Sequence, residues 1–323
     1  MTGRVSVVIP CFNAAATVGE AIESALAQSW RDVEIIVVDD GSSDGSAEVL
    51  RSFASRIRID SGPNRGASAA RNRGTALAAG AYIQYLDADD LLTPQAIEKR
   101  LLVLDDTGTD VAYSDWQRFE MDAAGSRRFG EIVARCIEEV DPDAEIACAT
   151  DFWAPPAALL YRRRIVEAIG GWNERLPVIQ DARFLFDAAR HGARFVHVPG
   201  VSAFYRQAAS SLSRSNERAF MLDCYLNGME IQSLWETDGA LTPVRQAALA
   251  GIFDMTARAF FQFDMPEFDD AVLRFKAVSD RRFGYPEIAH RVSRLAGRDV
   301  AVATVAAAAQ VARGVRSLFE GKR

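Results

Sequence analysis

The most informative stretch of this chain is Tyr82-Ile83-Gln84-Tyr85-Leu86-Asp87-Ala88-Asp89-Asp90. An apolar run typical of a buried strand ends there in three carboxylates within four positions. Carboxylates this close repel one another unless a positive charge lies between them. A divalent cation, held by oxygen ligands and by the phosphates of a substrate, would supply that charge. The alternative is that the acids cap a loop or the helix that follows.

Strand-like and helix-like segments alternate on the N-terminal side of this stretch. Apolar, β-branched runs predict strands at residues 5–10, 34–40, 56–59 and 81–86. Apolar residues at helical spacing and favourable capping residues predict helices at residues 16–28, 47–55 and 68–79. This alternation predicts an α/β fold with a mostly parallel central sheet, helices on both faces and a Rossmann-like nucleotide-binding half.

The second half of the chain is less regular. Its predicted strands lie at residues 110–114, 118–121, 157–161 and 194–199, and its predicted helices at residues 163–169 and 181–190. From about residue 216 the strand signal largely stops and helical periodicity dominates. We therefore expect an α/β domain at residues 1–215 and a mostly helical region at residues 216–323.

Composition argues against a nucleic-acid-binding protein and against a structural zinc site. The chain has 323 residues, a net charge of −7 and a sequence pI near 5.2, so a nucleic-acid binder is not expected. Its four cysteines form no CxxC pair and it has three histidines, which disfavours a structural zinc site. Free cysteines, together with the lack of a recognisable signal peptide or a long apolar run, predict a cytoplasmic protein.

Polar residues recur where the predicted parallel strands end. Pro10-Cys11-Phe12-Asn13 follows the first strand, Asp39-Asp40 ends the second, and the acidic stretch ends the fourth. The carboxyl ends of parallel strands meet at one edge, where open α/β sheets bind ligands. Neither GxGxxG nor GxxxxGK(S/T) follows the first strand, which disfavours a Rossmann dehydrogenase and a P-loop enzyme. The glycine-rich, basic loop of a sugar-nucleotide pyrophosphorylase is missing as well.

Four blocks of this sequence resemble those of family 2 glycosyltransferases. In chain order they are Val5–Asn13, Glu34–Gly45, Asn64–Gly74 and Leu86–Asp90, and the last resembles the family's DxD metal motif. The resemblance covers roughly residues 4 to 212. It implies the glycosyltransferase-A fold, with a nucleotide-sugar half at residues 1–105 and an acceptor half at residues 106–215. It also implies inverting transfer from a nucleotide-diphosphate sugar.

The resemblance further implies roles for individual residues. The nucleotide pocket would be formed by Pro10, Cys11, Phe12, Asn13, Asp39, Asp40, Asn64, Arg65, Arg71, Asp87 and Ala88. Asp40 would accept a hydrogen bond from the base, most simply N3–H of uracil, which favours a UDP-sugar donor. Asp89 would bind Mn²⁺ or Mg²⁺ directly, and Asp87 would contact the ribose or the metal's water shell. Asp90 would support the site or cap the next helix.

A later block, Gly170–Asp181, resembles the segment in which the family carries a Glu-Asp pair before a helix. Here the pair is Gln180-Asp181, and Asp181 matches the carboxylate that serves as general base. It would take the proton of the acceptor hydroxyl, which attacks from the face opposite the diphosphate and inverts the anomeric centre. Its alternative role is to cap the following helix. Gln180 removes a like charge that would raise the pKa of the base.

Two further sets of residues match the family pattern less completely. Relatives often carry arginine and then histidine where this chain has Arg206-Gln207. Arg206 would neutralise diphosphate charge, whereas Gln207 is a poorer metal ligand than histidine. Trp153, Trp172 and Gln180 are candidates for acceptor binding, because aromatic faces suit the C–H surfaces of sugars. A role in the core is an equal alternative for the two tryptophans.

The C-terminal region lies outside the resemblance. Its apolar residues have the spacing of helical core positions, and residues 300–319 are alanine-rich with arginines beside apolar side chains. Such a helix packs on its own domain, forms a homodimer, or lies on an anionic membrane surface. Membrane contact would place the protein peripherally on the inner face of the membrane and would suit a lipid-linked acceptor.

Together these patterns predict a metal-dependent inverting glycosyltransferase of the hexosyl- or N-acetylhexosaminyl-transferase class. It would act on a hydroxyl of a glycan or lipid-linked acceptor in polysaccharide or other glycoconjugate biosynthesis. The alternative is a non-catalytic nucleotide-sugar-binding or scaffold protein of the same fold. The retention of Asp40, Asp89 and Asp181 favours the enzyme.

Overall fold

The structure, a computed structural model, describes residues 3–122, 124–207, 216–239, 241–263 and 265–281. The chain divides into two compact units, Met1–Asn216 and Glu217–Arg323. The first unit combines a large sheet with helices, and the described residues of the second unit form helices joined by short loops.

Four parallel strands form one half of the sheet. They are β1 (Val5–Cys11), β2 (Val33–Asp39), β3 (Arg58–Ser61) and β4 (Tyr82–Tyr85), in the spatial order β3-β2-β1-β4. All residues of β1 are buried, as expected for an inner strand of a parallel sheet with both faces covered. The predicted alternation of strands and helices is therefore confirmed in this half.

Helices connect these strands and cover the sheet. They are α1 (Val18–Leu26), α2 (Ser46–Ser52), α3 (Ala67–Leu77) and α4 (Ala96–Thr107). Helix α3 approaches the sheet most closely at Gly74, where an added Cβ would lie 2.4 Å from Val8 Cγ1. A larger side chain would push α3 away from β1, so glycine at this position keeps the helix directly on the sheet.

The other half of the sheet mixes parallel and antiparallel strands. It contains β5 (Leu91–Leu92), β6 (Val111–Met121), β7 (Arg127–Val133), β8 (Leu159–Arg162) and β9 (Phe195–Arg206). From β4 the sheet continues through β8, β6 and β9 to β5, and β7 pairs with β6 outside this row. Only β6 and β9 are parallel among these pairs. The helices here are α5 (Ile137–Val140), α6 (Ala144–Thr150), α7 (Arg163–Ile169) and α8 (Gln180–Arg190). The expectation of an α/β fold is confirmed.

The predicted pair of short strands at residues 110–114 and 118–121 is wrong in one respect. The structure has one continuous strand, β6, across both. Ser114 and Asp115 interrupt the apolar pattern, yet both are buried, since β9 runs alongside with register shifts on either side of Asp115. The predicted strand at 194–199 likewise continues to Arg206.

The register of the sheet brings three strand ends to one edge. Cys11 at the end of β1 lies opposite Asp39 at the end of β2. The backbone N–H of Asp40 donates to the Cys11 carbonyl oxygen at 2.8 Å, and that of Leu86 donates to the Val8 carbonyl oxygen at 3.0 Å. The loops that follow β1, β2 and β4 therefore start side by side.

The second unit contains three described helices, α9 (Glu217–Thr237), α10 (Pro243–Phe263) and α11 (Phe268–Val278). Tyr225, Phe253 and Phe260 pack edge to face in its core. None of the helices in the described residues is both long and apolar enough to cross a membrane. The alanine-rich stretch at residues 300–319, for which the sequence predicts a helix, lies outside the described residues.

Candidate active site

The acidic stretch forms a tight turn, Asp87–Asp90, which we call the acidic turn. The backbone N–H of Asp90 donates to the Asp87 carbonyl oxygen at 3.1 Å and closes it. Strand β4 ends just before the turn, and β5 begins directly after it and pairs with β9. The turn is thus fixed between two elements of the sheet, at the edge where β1 and β2 also end.

Asp90 is not a helix cap. Helix α4 begins at Ala96, with Gln95 at its N-cap position, several residues further on. The Asp90 side chain is buried, and its Oδ1 accepts a hydrogen bond from the backbone N–H of Arg206 at 2.8 Å, while Oδ2 has no partner. Burial, and then the charges of Asp89 and Asp87, raise the pKa of this carboxyl well above its usual value.

Asp89 lies beside it and is partly buried. Burial, and then the neighbouring charge of Asp87, raise the pKa of its carboxyl to about 6. Arg206 and Arg71 oppose this rise only in part. A cation bound at the acidic turn would lower the pKa values of Asp89 and Asp90, because it favours the charged carboxylates.

The oxygen donors of the acidic turn fit a hard divalent ion. Mg²⁺ is usually bound through one or two carboxylates together with substrate phosphates and water. Asp87 and Asp89 offer carboxylate oxygens, and Asp90 Oδ2 is buried without a hydrogen-bond partner. Within the described ranges, no group of three or more acidic, histidine or cysteine side chains is placed to hold a metal ion. An ion bound here would therefore depend on ligands from a substrate.

Arg71 has buried hydrogen-bond donors that lack an acceptor. It lies on α3, is 3% exposed, and pairs through Nη2 with Asp87 Oδ1. Its guanidinium carbon lies 4.3 Å from the centre of the Trp172 ring, a cation–π contact. Its Nε and Nη1 are buried without a hydrogen-bond partner. Buried donors of this kind are costly unless an acceptor reaches them, and a phosphate or a base carbonyl would serve.

Trp172 supports Arg71 from within the core. Its ring stacks on Phe184 with ring centres 4.2 Å apart, and Tyr85 packs on it edge to face at 4.8 Å. Trp172 is 4% exposed, which favours the core role over the acceptor role that the sequence left open. Gln180 is also buried, where its Oε1 accepts a hydrogen bond from the Ser68 hydroxyl at 2.8 Å.

Asp40 organises the loop before α3. Its carboxylate accepts hydrogen bonds from the backbone N–H groups of Arg65 at 3.0 Å and Gly66 at 2.7 Å. Gly41 follows it with φ 79°, and an added Cβ there would lie 2.8 Å from the Asn64 backbone nitrogen. Asp40 and Gly41 together hold residues 64–66 against the end of β2. The sequence predicts that Asp40 also binds a base, which would have to share the carboxylate with these two backbone N–H groups.

Two adjacent loops are tied together at the same edge. Asn13, with φ 48°, accepts a hydrogen bond from the Ser43 backbone N–H at 2.8 Å, and its own N–H donates to the Ser42 hydroxyl at 3.0 Å. The backbone N–H of Ser42 also donates to Asp39 Oδ1 at 3.0 Å. Of the other predicted nucleotide contacts, Pro10, Cys11 and Ala88 are buried, whereas Phe12, Asn64 and Arg65 are exposed. Exposed Phe12 is free to contact a ligand.

Asp181 lies in the first turn of α8, whose N-cap is Ile179, so it is not the cap itself. Its Oδ2 accepts a hydrogen bond from Trp153 Nε1 at 2.8 Å, and its Oδ1 accepts one from the Ala182 backbone N–H at 2.8 Å. Burial raises the pKa of the carboxyl, and these two hydrogen bonds and Arg71 oppose that rise. A carboxylate with a raised pKa is a stronger base for an acceptor hydroxyl.

An aromatic cluster surrounds this carboxylate. Trp153, Trp116 and Tyr205 pack edge to face, with ring centres 5.4 to 5.7 Å apart. Burial first, and then the charges of Asp181 and the three acids of the acidic turn, raise the pKa of the Tyr205 hydroxyl. Tyr205 packs on Trp153, which bonds Asp181, and the next residue, Arg206, bonds Asp90 and Asp89, so the fold brings Asp181 and the acidic turn to one site.

Arg206 braces the acidic turn. Its backbone N–H bonds Asp90, its Nε donates to the Asp89 carbonyl oxygen at 2.7 Å, and its Nη2 pairs with Glu20 at 3.0 Å. Glu20 on α1 also pairs with Arg127 at 2.8 Å. Sequence reasoning missed Glu20, Trp116 and Tyr205. The sequence assigns none of them a role, and only their contacts in the folded chain identify them.

The fold and the acidic edge define the class of protein. A solved structure of S. aureus TarS residues 1–349 in complex with UDP-GlcNAc has the same fold, with a TM-score of 0.67 and 17% identity. The alignment covers 96% of this chain and 92% of the TarS chain. The chain therefore has the glycosyltransferase-A fold, as the sequence predicted.

The sequence profile of glycosyl transferase family 2 matches residues 6–169, about half of the chain. The chain belongs to this family. The match contains the acidic turn, Asp40 and Arg71, and it ends before Asp181 and Arg206.

Curated relatives match only part of their own length. An uncharacterised glycosyltransferase, YibD of Escherichia coli strain K12, is 38% identical over 36% of this chain and 35% of its own. The succinoglycan biosynthesis protein ExoO of Rhizobium meliloti strain 1021 is 29% identical over 65% of this chain and 62% of its own. The chain thus spans between one third and two thirds of the length of these relatives.

Proposed function

We propose that the protein is a divalent-metal-dependent, inverting glycosyltransferase. It transfers a hexosyl or N-acetylhexosaminyl group from a nucleotide-diphosphate sugar, most simply a UDP-sugar, to a hydroxyl of a glycan or lipid-linked acceptor. The observation that carries this proposal is the convergence of the acidic turn, the unpartnered nitrogens of Arg71 and the carboxylate of Asp181 on one edge of the sheet.

On the donor side, Arg71 and the acidic turn carry opposite charges. The acidic turn would bind the metal ion, and Arg71 would bind the nucleotide. Asp89, with Asp87 beside it, would hold Mn²⁺ or Mg²⁺, which supplies charge neutralisation for the departing diphosphate. Arg71 Nε and Nη1 would donate to the nucleotide. Arg206 already bonds Asp89 and Glu20, so we assign it to keeping the acidic turn in place rather than to direct diphosphate binding.

On the acceptor side, Asp181 would accept the proton of the attacking hydroxyl. Trp153 and the Ala182 amide fix the orientation of its carboxylate, since each oxygen accepts one of their hydrogen bonds. Each oxygen keeps a second lone pair for the acceptor. Partly buried Trp153, whose indole N–H donates to the base, is the better of the two tryptophans for contact with an acceptor sugar.

Support for the donor and the pathway comes from similar proteins. S. aureus TarS, of the same fold, was crystallised with UDP-GlcNAc and with UDP. ExoO of Rhizobium meliloti carries the name of a succinoglycan biosynthesis protein. A uridine diphosphate donor and a role in polysaccharide or glycoconjugate assembly are therefore the first to test.

The test is a panel of UDP-, dTDP- and GDP-sugars offered to the purified full chain with Mn²⁺, with Mg²⁺ or with EDTA. Acceptors bearing free hydroxyls are included, and products are read by mass. We expect transfer with a UDP-sugar that EDTA abolishes and added metal restores. Undiminished transfer in EDTA would remove the metal from the proposal. Tight UDP-sugar binding without transfer or hydrolysis across the panel would favour a binding protein instead.

A further inference from the structure

Three side chains that the proposed transfer reaction does not use form a hydrogen-bonded chain. Cys136 Sγ lies 3.4 Å from His197 Nδ1, and His197 Nε2 lies 2.7 Å from Asp115 Oδ1. The second oxygen of Asp115 accepts a hydrogen bond from the Gly200 backbone N–H at 2.7 Å. Thiol, imidazole and carboxylate thus stand in the order of a nucleophile, a base and a group that orients the base.

The partners of His197 fix which nitrogen carries its proton. Asp115 is an acceptor only, so Nε2 of the imidazole carries the hydrogen and donates it to the carboxylate. Nδ1 of neutral His197 then has a free lone pair directed at Cys136. The ring is held in this orientation by Asp115 on one side and by Tyr113, whose ring centre lies 5.2 Å away, on the other.

Cys136 is reachable from solvent. It is only partly buried and precedes the short helix α5, and its backbone N–H donates to Glu139 Oε2 at 3.2 Å. Partial burial and the charges of Glu139, Glu138 and Asp115 raise the pKa of the thiol. The resting group is therefore a protonated thiol, whose proton must pass to His197 when the sulfur attacks.

We propose that Cys136 is a nucleophilic thiol, with His197 as its base, that forms a mixed disulfide with low-molecular-weight disulfides. His197 Nδ1 takes the proton as Sγ attacks one sulfur of the disulfide. The new S–S bond forms as the old one breaks, and the leaving thiolate takes the proton back from the imidazolium. Asp115 is a positioning residue that stabilises the imidazolium. A small thiol reverses the reaction by the same exchange.

The other cysteines provide a comparison within the same chain. Cys11 and Cys148 are buried, and burial is the largest cause of their raised pKa values. Cys224, on α9 in the second unit, is partly buried like Cys136. Cys224 therefore serves as a reference thiol of similar exposure in the same chain, and the His197 imidazole predicts a faster reaction at Cys136.

The test exposes the full chain to oxidised glutathione and follows each cysteine by peptide mass mapping after an acid quench. We expect Cys136 to be modified at least about 100-fold faster than Cys224, the low end for assistance by a positioned base. His197→Gln should bring Cys136 down to the Cys224 rate. Asp115→Asn should give an intermediate rate, and neither change should alter the Cys224 rate.

Two results would overturn the proposal. One is a Cys136 rate in the unmodified chain no greater than that of Cys224. The other is a rate that survives His197→Gln. Far-UV circular dichroism and the melting temperature of each variant check the fold. If His197→Gln does not fold, Asp115→Asn takes its place, and an unchanged Cys136 rate in that variant would then count against the proposal.

Discussion

The two sides of the active-site edge are built in different ways. On the nucleotide side, formed by the loops after β1, β2 and β4, carboxylates accept hydrogen bonds from nearby backbone amides, as Asp40 does from Arg65 and Gly66. On the base side, formed by α8, β6 and β9, Asp181 is held by a tryptophan side chain from a distant loop. Backbone amides fix the first side, and side-chain contacts fix the second.

This difference predicts two kinds of mutational effect, one on ligand affinity and one on turnover. The nucleotide side is assembled from backbone groups close to the sheet, so side-chain changes there should act mainly on ligand affinity. The base side positions one reacting group through an aromatic cluster, so changes there should act mainly on turnover. The variants below test that separation, from the largest expected effect to the smallest.

Asp181→Asn should have the largest effect. The amide keeps the size of the side chain but cannot accept the acceptor's proton, so kcat should fall by roughly 10²- to 10⁴-fold, the contribution of a general base. The dissociation constant for UDP, measured by calorimetry, should not change. Asp187→Asn is the matched control on the same helix, where Asp187 pairs with Arg183 at 2.8 Å. Near-normal turnover of Asp181→Asn would refute the assignment.

Arg71→Met should break the nucleotide side. It removes the donors that we propose bind the nucleotide, and hydrogen bonds to charged groups contribute about 1.5–3 kcal/mol, so UDP affinity should fall by about 10- to 100-fold. Arg73→Met is the matched control, two residues along the same helix and paired with Asp60 at 2.6 Å. Equal losses of affinity in both variants would mean that general charge, and not Arg71 itself, binds the nucleotide.

Trp153→Phe should move the acid limb of the kcat/KM profile. The Trp153 hydrogen bond lowers the pKa of Asp181, so its loss raises that pKa and the base stays protonated to a higher pH. We expect a shift of about one pH unit upward, since one unit corresponds to about 1.4 kcal/mol. Trp116→Phe, which changes the same cluster without a bond to Asp181, should leave the limb in place. A downward shift would contradict the role of Trp153.

Gln180→Glu should give the smallest effect. A carboxylate at this position restores the like charge that the family pattern carries, which raises the pKa of Asp181 further. The acid limb should move upward by less than in Trp153→Phe, because Ser68 would donate a hydrogen bond to the new carboxylate as it does to Gln180. A full pH profile with UDP-sugar as donor measures this, and an unchanged limb would show that position 180 does not tune the base.

The strands that carry the nucleotide side could be predicted from sequence because each follows from a local pattern. Apolar β-branched runs gave β1, β2 and β4 closely, and the acids at their ends follow from strand topology. The parallel half of the sheet needs no information beyond this periodicity. The same holds for α3, where Gly74 lies in a recognisable block.

The base side could not be predicted to the same depth. Strand β6 is predicted as two strands because Ser114 and Asp115 are polar. Only the contacts of Asp115 with His197 and Gly200 explain why Asp115 is buried. Glu20 is an ordinary helix residue in sequence, and it matters because Arg206 reaches it from the end of β9. Such partners come from chain segments far apart, which no local pattern records.

The acidic turn also affects the evolution of the protein. Asp87, Asp89 and the buried Asp90 repel one another in the absence of a cation, so this turn makes the ligand-free fold less stable than a neutral turn would. Selection for thermal stability alone would therefore replace one of these acids. The resulting protein would be more stable and would bind a cation less tightly.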